Sequence, residues 1–192
     1  MVAVAGAILL ARVADGRRSV RLWAAGFAAV GAVAFLGGAF HEFSSRLAAP
    51  SADVLWKATL AAAGLAGCLL IAGAAFASVP RRAATWVAIV AVIKLAVFLG
   101  WALPGDAFGP VVVDSAVTLA ELVALQVIAL VTRGARSAPW VLGGVGVSAA
   151  AAAVEAVRPR FPAPLGPDAV YHVIEIAGLL LFSRGGRLFE DR

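Results

Sequence analysis

His41 and His172 are the only histidines in the 192 residues, and both stand in apolar stretches with carboxylates close by. His41 lies near the end of AVAFLGGAFHEF; His172 lies in GPDAVYHVIEIAGLLLF, four residues after Asp168 and three before Glu175. A polar side chain in a greasy segment is costly without a partner or a task. On a helix, Asp168 and His172 at i, i+4 share one face. An imidazole nitrogen and a carboxylate oxygen are both good zinc ligands, at about 2.0–2.2 Å. With His41 as a third ligand and a water as the fourth, they would make an open site of the catalytic type. Asp53 could orient that water or take its proton.

The elements that would carry these groups are set by composition. The chain is 62% hydrophobic and 14% charged, with a mean hydropathy of +0.97. Soluble domains carry roughly 25% charged residues. A chain with so little polar surface must face mostly lipid, so the fold class is an all-α polytopic membrane protein. Apolar segments fall near 1–14, 20–43, 53–79, 83–103, 111–132, 138–157 and 167–183. A span needs about 20 residues. The second to sixth meet this, the seventh is slightly short, and the first is too short for a full crossing. Breakers separate the others: Pro50, Pro80, Pro104 with Gly105, Gly134, and Pro159 through Pro167. The expectation is one integral membrane helical domain over residues 1–192, a seven-helix bundle with a short first helix.

Arginine placement gives orientation. Alternate connections hold eleven arginines (Arg12, Arg17, Arg18, Arg21, Arg81, Arg82, Arg133, Arg136, Arg184, Arg187 and Arg192) against three (Arg46, Arg158 and Arg160). The arginine-rich side is expected to be cytoplasmic, with the N-terminus outside and the C-terminus inside. The net charge of +5 therefore reads as a topology signal, and nucleic acid is not an expected partner. Trp23, Trp86 and Trp140 fall at inner ends and Trp56 and Trp101 at outer ends, the pattern of an aromatic belt. The first residues lack a basic start, so no cleavable signal peptide is expected. A lone Cys68 allows no intrachain disulfide. The expected location is the plasma (inner) membrane, with the lipid bilayer as the immediate partner.

This orientation places the remaining ionisable groups. His41, Glu42, Asp53, Lys57, Asp114, Glu121, Glu155, Asp168 and His172 all fall in the outer half, and Glu175 lies nearer mid-depth. Lys57, Lys94, Glu121 and Glu175 are deep enough to need partners; Lys94–Glu121 and Lys57 with Glu175 or Asp53 are the expected pairs.

The layout resembles the CREST superfamily, which includes alkaline ceramidases and adiponectin-receptor-type proteins. Members are similar in carrying Ser-x3-His on helix two, Asp on helix three and His-x3-His on helix seven. His41 matches the helix-two histidine, Asp53 the helix-three aspartate and His172 the second helix-seven histidine, with Tyr171 before it. Gly37 stands where the family has Ser, and Asp168 where it has the first helix-seven histidine. The resemblance implies a membrane-embedded zinc hydrolase acting on a lipid amide or ester. His41, Asp168 and His172 would hold the metal, and Asp53 would act on its water.

Plainer readings of the same residues stand beside it. Asp168 follows Gly-Pro and suits the first turn of a helix, where an acid complements the dipole. Asp53 after Pro50 and Ser51 reads the same way. His41 could reach interfacial water, and one hydrogen bond would satisfy His172. Lys57 near the site would oppose a metal. The alternative class is non-enzymatic: a proton-coupled or small-molecule carrier, or a metal-free receptor or scaffold.

Overall fold

A computed structural model describes residues 1–105, 108–159 and 166–192, without the side chains of Pro167 and Asp168. The described residues form seven α-helices and one 3-10 turn: α1 (Val2–Val13), α2 (Arg18–Phe43), the turn Ser44–Arg46, α3 (Ala49–Ser78), α4 (Arg81–Ala102), α5 (Gly109–Arg133), α6 (Ala138–Val157) and α7 (Pro167–Arg187). Proline sits in the first turn of α3, α5, α6 and α7, where its missing N–H costs nothing. Gly134 ends α5 in the left-handed region at φ +60°, a conformation that glycine adopts without penalty.

Five of these helices, α2 to α6, are long and apolar enough to cross a membrane. α1, with 12 residues, reaches only about 18 Å, well short of a roughly 30 Å hydrocarbon core. α7 has 21 residues but carries His172, Glu175, Arg184 and Arg187, and it is not among the five.

Each helix packs on the next in sequence, so the short connections make neighbours antiparallel. Further contacts pair α3 with α5, and α7 with both α1 and α2. The sequence of contacts α2–α3–α5–α6–α7–α2 closes into a ring of five helices, with α1 resting on α2 and α7, and α4 on α3 and α5. α3 is the most enclosed candidate span, and α4, outside the ring, the least. Close approach needs small residues where lipid supplies no hydrophobic drive. At Gly73 on α3, an added Cβ would lie 3.0 Å from the Ser19 carbonyl and the Trp23 amide of α2.

Burial is uneven along the helix axes. The principal core gathers Leu10, Val20, Trp23, Phe27, Ile71, Phe76, Leu122, Val141, Phe182 and Phe189. Among the described residues, α2 has no buried side chain beyond Gly31, α3 none before Thr59, and α7 none before Gly178. Around α2 and α7 the bundle is tightly packed at the arginine-rich end and loose at the other, where a smaller core of Leu60, Phe98 and Ala102 holds α3 and α4. Trp23, expected in the interfacial belt, is fully buried, because its indole fills the gap between α2 and α7. Trp86, Trp101 and Trp140, at 63%, 55% and 40% exposure, keep the belt arrangement.

Candidate functional site

His41 lies in the last turn of α2, Asp53 in the second turn of α3 and His172 in the second turn of α7. Antiparallel packing brings all three to the loose end of the bundle, on helices α2, α3 and α7 that are neighbours through α2. Both histidines are exposed; the His41 ring lies against Phe40 and the His172 ring against Tyr171, edge-on in each case. Asp53 is bonded to Lys57 at 2.8 Å, one helical turn away, and this pair is half-exposed. Of the two partners expected for Lys57, Asp53 is the one it meets.

Histidine and aspartate suit zinc chemically. Among the described residues, however, no three His, Cys, Asp or Glu side chains stand close enough to hold one metal ion. His41, Asp53 and His172 therefore do not form such a group by themselves. Asp168 lies in the first turn of α7, and its side chain is outside the described residues. No chemical step is derived through a metal.

A second polar group is better formed. Lys94 on α4 bonds Asp114 at the start of α5 at 2.5 Å and the Thr118 hydroxyl at 3.0 Å. The expected Lys94–Glu121 pair is thus replaced by Lys94–Asp114; Glu121 sits within electrostatic reach of both. The physical reason is register: Asp114, Thr118 and Glu121 follow at i, i+4 and i+7 on one face of α5, and Lys94 meets the first two. On α3, Gly67 opens room for this face; an added Cβ there would lie 2.8 Å from the Thr118 hydroxyl and 3.4 Å from Asp114.

Further polar residues follow down α5 on a face turned by roughly 100–120° from Asp114. Gln126, fully buried, donates to the Ser78 hydroxyl of α3 at 3.1 Å, and Arg133 donates to the Ala77 carbonyl. Three buried side-chain atoms among the described residues lack a hydrogen-bond partner: Glu121 Oε2, Gln126 Oε1 and Arg133 Nε. All three belong to α5. Unsatisfied buried polar atoms are rare and individually costly, so their concentration on one helix needs a physical reason. Sequence reading identified Asp114 and Glu121 as ionisable groups in an apolar segment but passed over Thr118 and Gln126. For Thr118 its i, i+4 spacing from Asp114 was the available signal; Gln126, twelve residues on, falls on a different face and had none.

A third group lies at the tight end. Asp191 accepts hydrogen bonds from the Arg18 amide at 2.6 Å, the Ser19 amide at 2.9 Å and the Ser19 hydroxyl. It thereby caps α2 from the far end of the sequence, where Arg17 at the N-cap position offers no side-chain acceptor. Partial burial works against its charge, but the Ser19 and Arg18 hydrogen bonds, with Arg17 nearby, outweigh it and hold its carboxyl below the usual aspartate range. Arg17 in turn donates to the carbonyls of Val13, Ala14, Arg187 and Phe189, tying the ends of α1 and α7 together.

A family model described as a family of unknown function, DUF6962, matches residues 1–191, and the chain belongs to that family. No curated protein and no solved structure matches it.

Proposed function

We propose that this DUF6962 member is a polytopic membrane protein that moves protons or a small polar solute past the polar residues of α5, a proton-coupled carrier in outline. The observation that carries the reading is that, among the described residues, all three unpartnered buried side-chain polar atoms fall on α5, the helix whose Asp114 and Thr118 hold Lys94. Ionisable groups inside apolar spans usually mark ion or proton pathways. Asp114 lies near the loose end, giving entry; Glu121 and Gln126 continue toward mid-depth and beyond; Arg133 stands at the tight end. In this reading Glu121 takes the proton, and the Lys94–Asp114 pair sets the local charge. The arginine-rich end faces the cytoplasm, and α1 and α7 complete the seven-helix topology of a plasma-membrane protein.

The test is proton flux into proteoliposomes under an imposed pH gradient, read with an internal pH dye. Protein-dependent flux that Glu121→Gln abolishes supports the reading. Flux absent with the unmodified protein, or unchanged in Glu121→Gln, sinks it. Lys94→Met leaves Asp114 buried without its partner and is expected to cost about 3–5 kcal/mol. Adding Asp114→Leu restores stability without restoring flux.

A second reading, a zinc-dependent lipid amidase or esterase, is favoured by one observation: His41, Asp53 and His172 share the loose end on neighbouring helices. His41, Asp168 and His172 would be the ligands and Asp53 the group acting on water. Metal analysis of protein purified without chelators decides it; zinc well below one per chain rejects this reading.

A further inference from the structure

The arginine-rich end contains a cavity of about 840 Å³, lined by Arg18, Arg21, Arg81 and Arg192, with Phe76, Leu22 and Asp191 completing its wall. These arginines come from three separate elements: the start of α2, the start of α4 and the segment after α7. A topology signal requires arginines on one side of the membrane. It does not require them to converge on one concavity.

The charges are available to a ligand. All four arginines are exposed. The Arg18 guanidinium lies over the Phe76 ring, 4.2 Å from its centroid. Arg21 donates to the Gly16 carbonyl at 3.4 Å. The Arg192 backbone amide is tied to the Phe76 carbonyl at 3.1 Å, so its placement is not arbitrary. The one carboxylate in the wall, Asp191, is already engaged by the Arg18 and Ser19 amides.

We infer that this cavity binds a phosphate group, carried by a lipid headgroup or free in solution. Guanidinium groups match phosphate oxygens in pairs, and α4 starts at the site, so its positive dipole end adds to the field, while Asp191 already caps α2. Leu22 and Phe76 give the cavity an apolar wall on the bundle side, suited to the glycerol end of a lipid.

The experiment uses the whole protein. Native mass spectrometry in detergent compares phosphatidylglycerol with phosphatidylcholine. Calorimetry in phosphatidylcholine nanodiscs titrates inorganic pyrophosphate. Arg21→Gln with Arg81→Gln removes two lining charges; Arg82→Gln with Arg136→Gln removes two from exposed positions outside the cavity. About fivefold loss per lining arginine, roughly 25-fold for the pair, is expected, with the control pair near unchanged. Selective binding of phosphatidylglycerol with that dependence supports the proposal and identifies a lipid headgroup; binding of pyrophosphate alone with that dependence supports it and identifies a soluble phosphate. No binding of either probe, or equal losses in the two pairs, overturns it. Should the double variant fold poorly, Arg81→Lys keeps the charge but not the paired geometry, and a loss of several-fold is expected; full retention counts against the site.

Discussion

The two ends of the bundle are built on different principles. At the arginine-rich end, segments distant in sequence are laced together. Asp191 caps α2, Arg17 binds carbonyls at the ends of α1 and α7, Arg133 reaches α3, and the Trp23 indole donates to the Phe182 carbonyl at 3.1 Å. At the histidine end, among the described residues, His41, Asp53 and His172 bond or stack only with residues of their own helices, as Asp53–Lys57 and His172–Tyr171 do, while bonds between helices there are few, such as Lys94–Asp114. The difference teaches that a high density of polar residues does not by itself make a site. The arginine end spends its polar groups on structure and leaves a cavity between them. The histidine end leaves both histidines exposed and the Asp53–Lys57 pair half-exposed.

This contrast can be broken at graded cost. Trp23→Ala empties the tight core, where Trp23 packs on Phe27, Phe182 and Phe189, and is expected to destabilise by about 3–5 kcal/mol. Thermal unfolding in nanodiscs measures it; a loss below 1 kcal/mol (roughly, the level of a surface change) would show that the tight end is not tight.

Asp191→Ala removes the α2 cap at an expected cost of about 1 kcal/mol. Because the folded state holds this carboxyl below its ordinary value, the cap contributes fully at neutral pH and fades as pH falls through that lowered value. The stability gap between the unmodified protein and Asp191→Asn should therefore narrow in acid. A gap that widens would contradict the assignment.

Lys57→Ala opens a half-exposed pair and should cost only about 0–1 kcal/mol. His41→Ala and His172→Ala, both at exposed positions, should change stability by less than about 0.5 kcal/mol each. If either histidine variant matched Trp23→Ala, the histidine end would be a structural centre, and the contrast between the ends would collapse.

The sequence and the structure agree on helix number and on most boundaries, because proline, glycine and arginine punctuate the apolar runs. Val79 and Pro80 between α3 and α4, and Gly134 after α5, fall where those signals put them. The Lys57–Asp53 pair was equally legible, since it is local and its spacing is one helical turn. The Lys94 partner was not. Asp114 and Glu121 lie on the same face of α5, and only the placement of α4 beside α5 decides between them. Trp23 was misread as interfacial because hydropathy marks the depth of a residue along its helix but not the direction it faces.

By itself the sequence determined that this chain is a set of apolar helices with its arginines on alternate connections, because hydrophobic length and charge position are one-dimensional properties. It also placed ionisable groups on α5 at helical spacing. Only the tertiary structure decided that α5 joins a five-helix ring, that the described buried polar atoms without partners all belong to it, and that four arginines from three elements meet in one cavity. Those are properties of how helices rotate and neighbour one another, and they depend on side-chain packing between segments far apart in the chain.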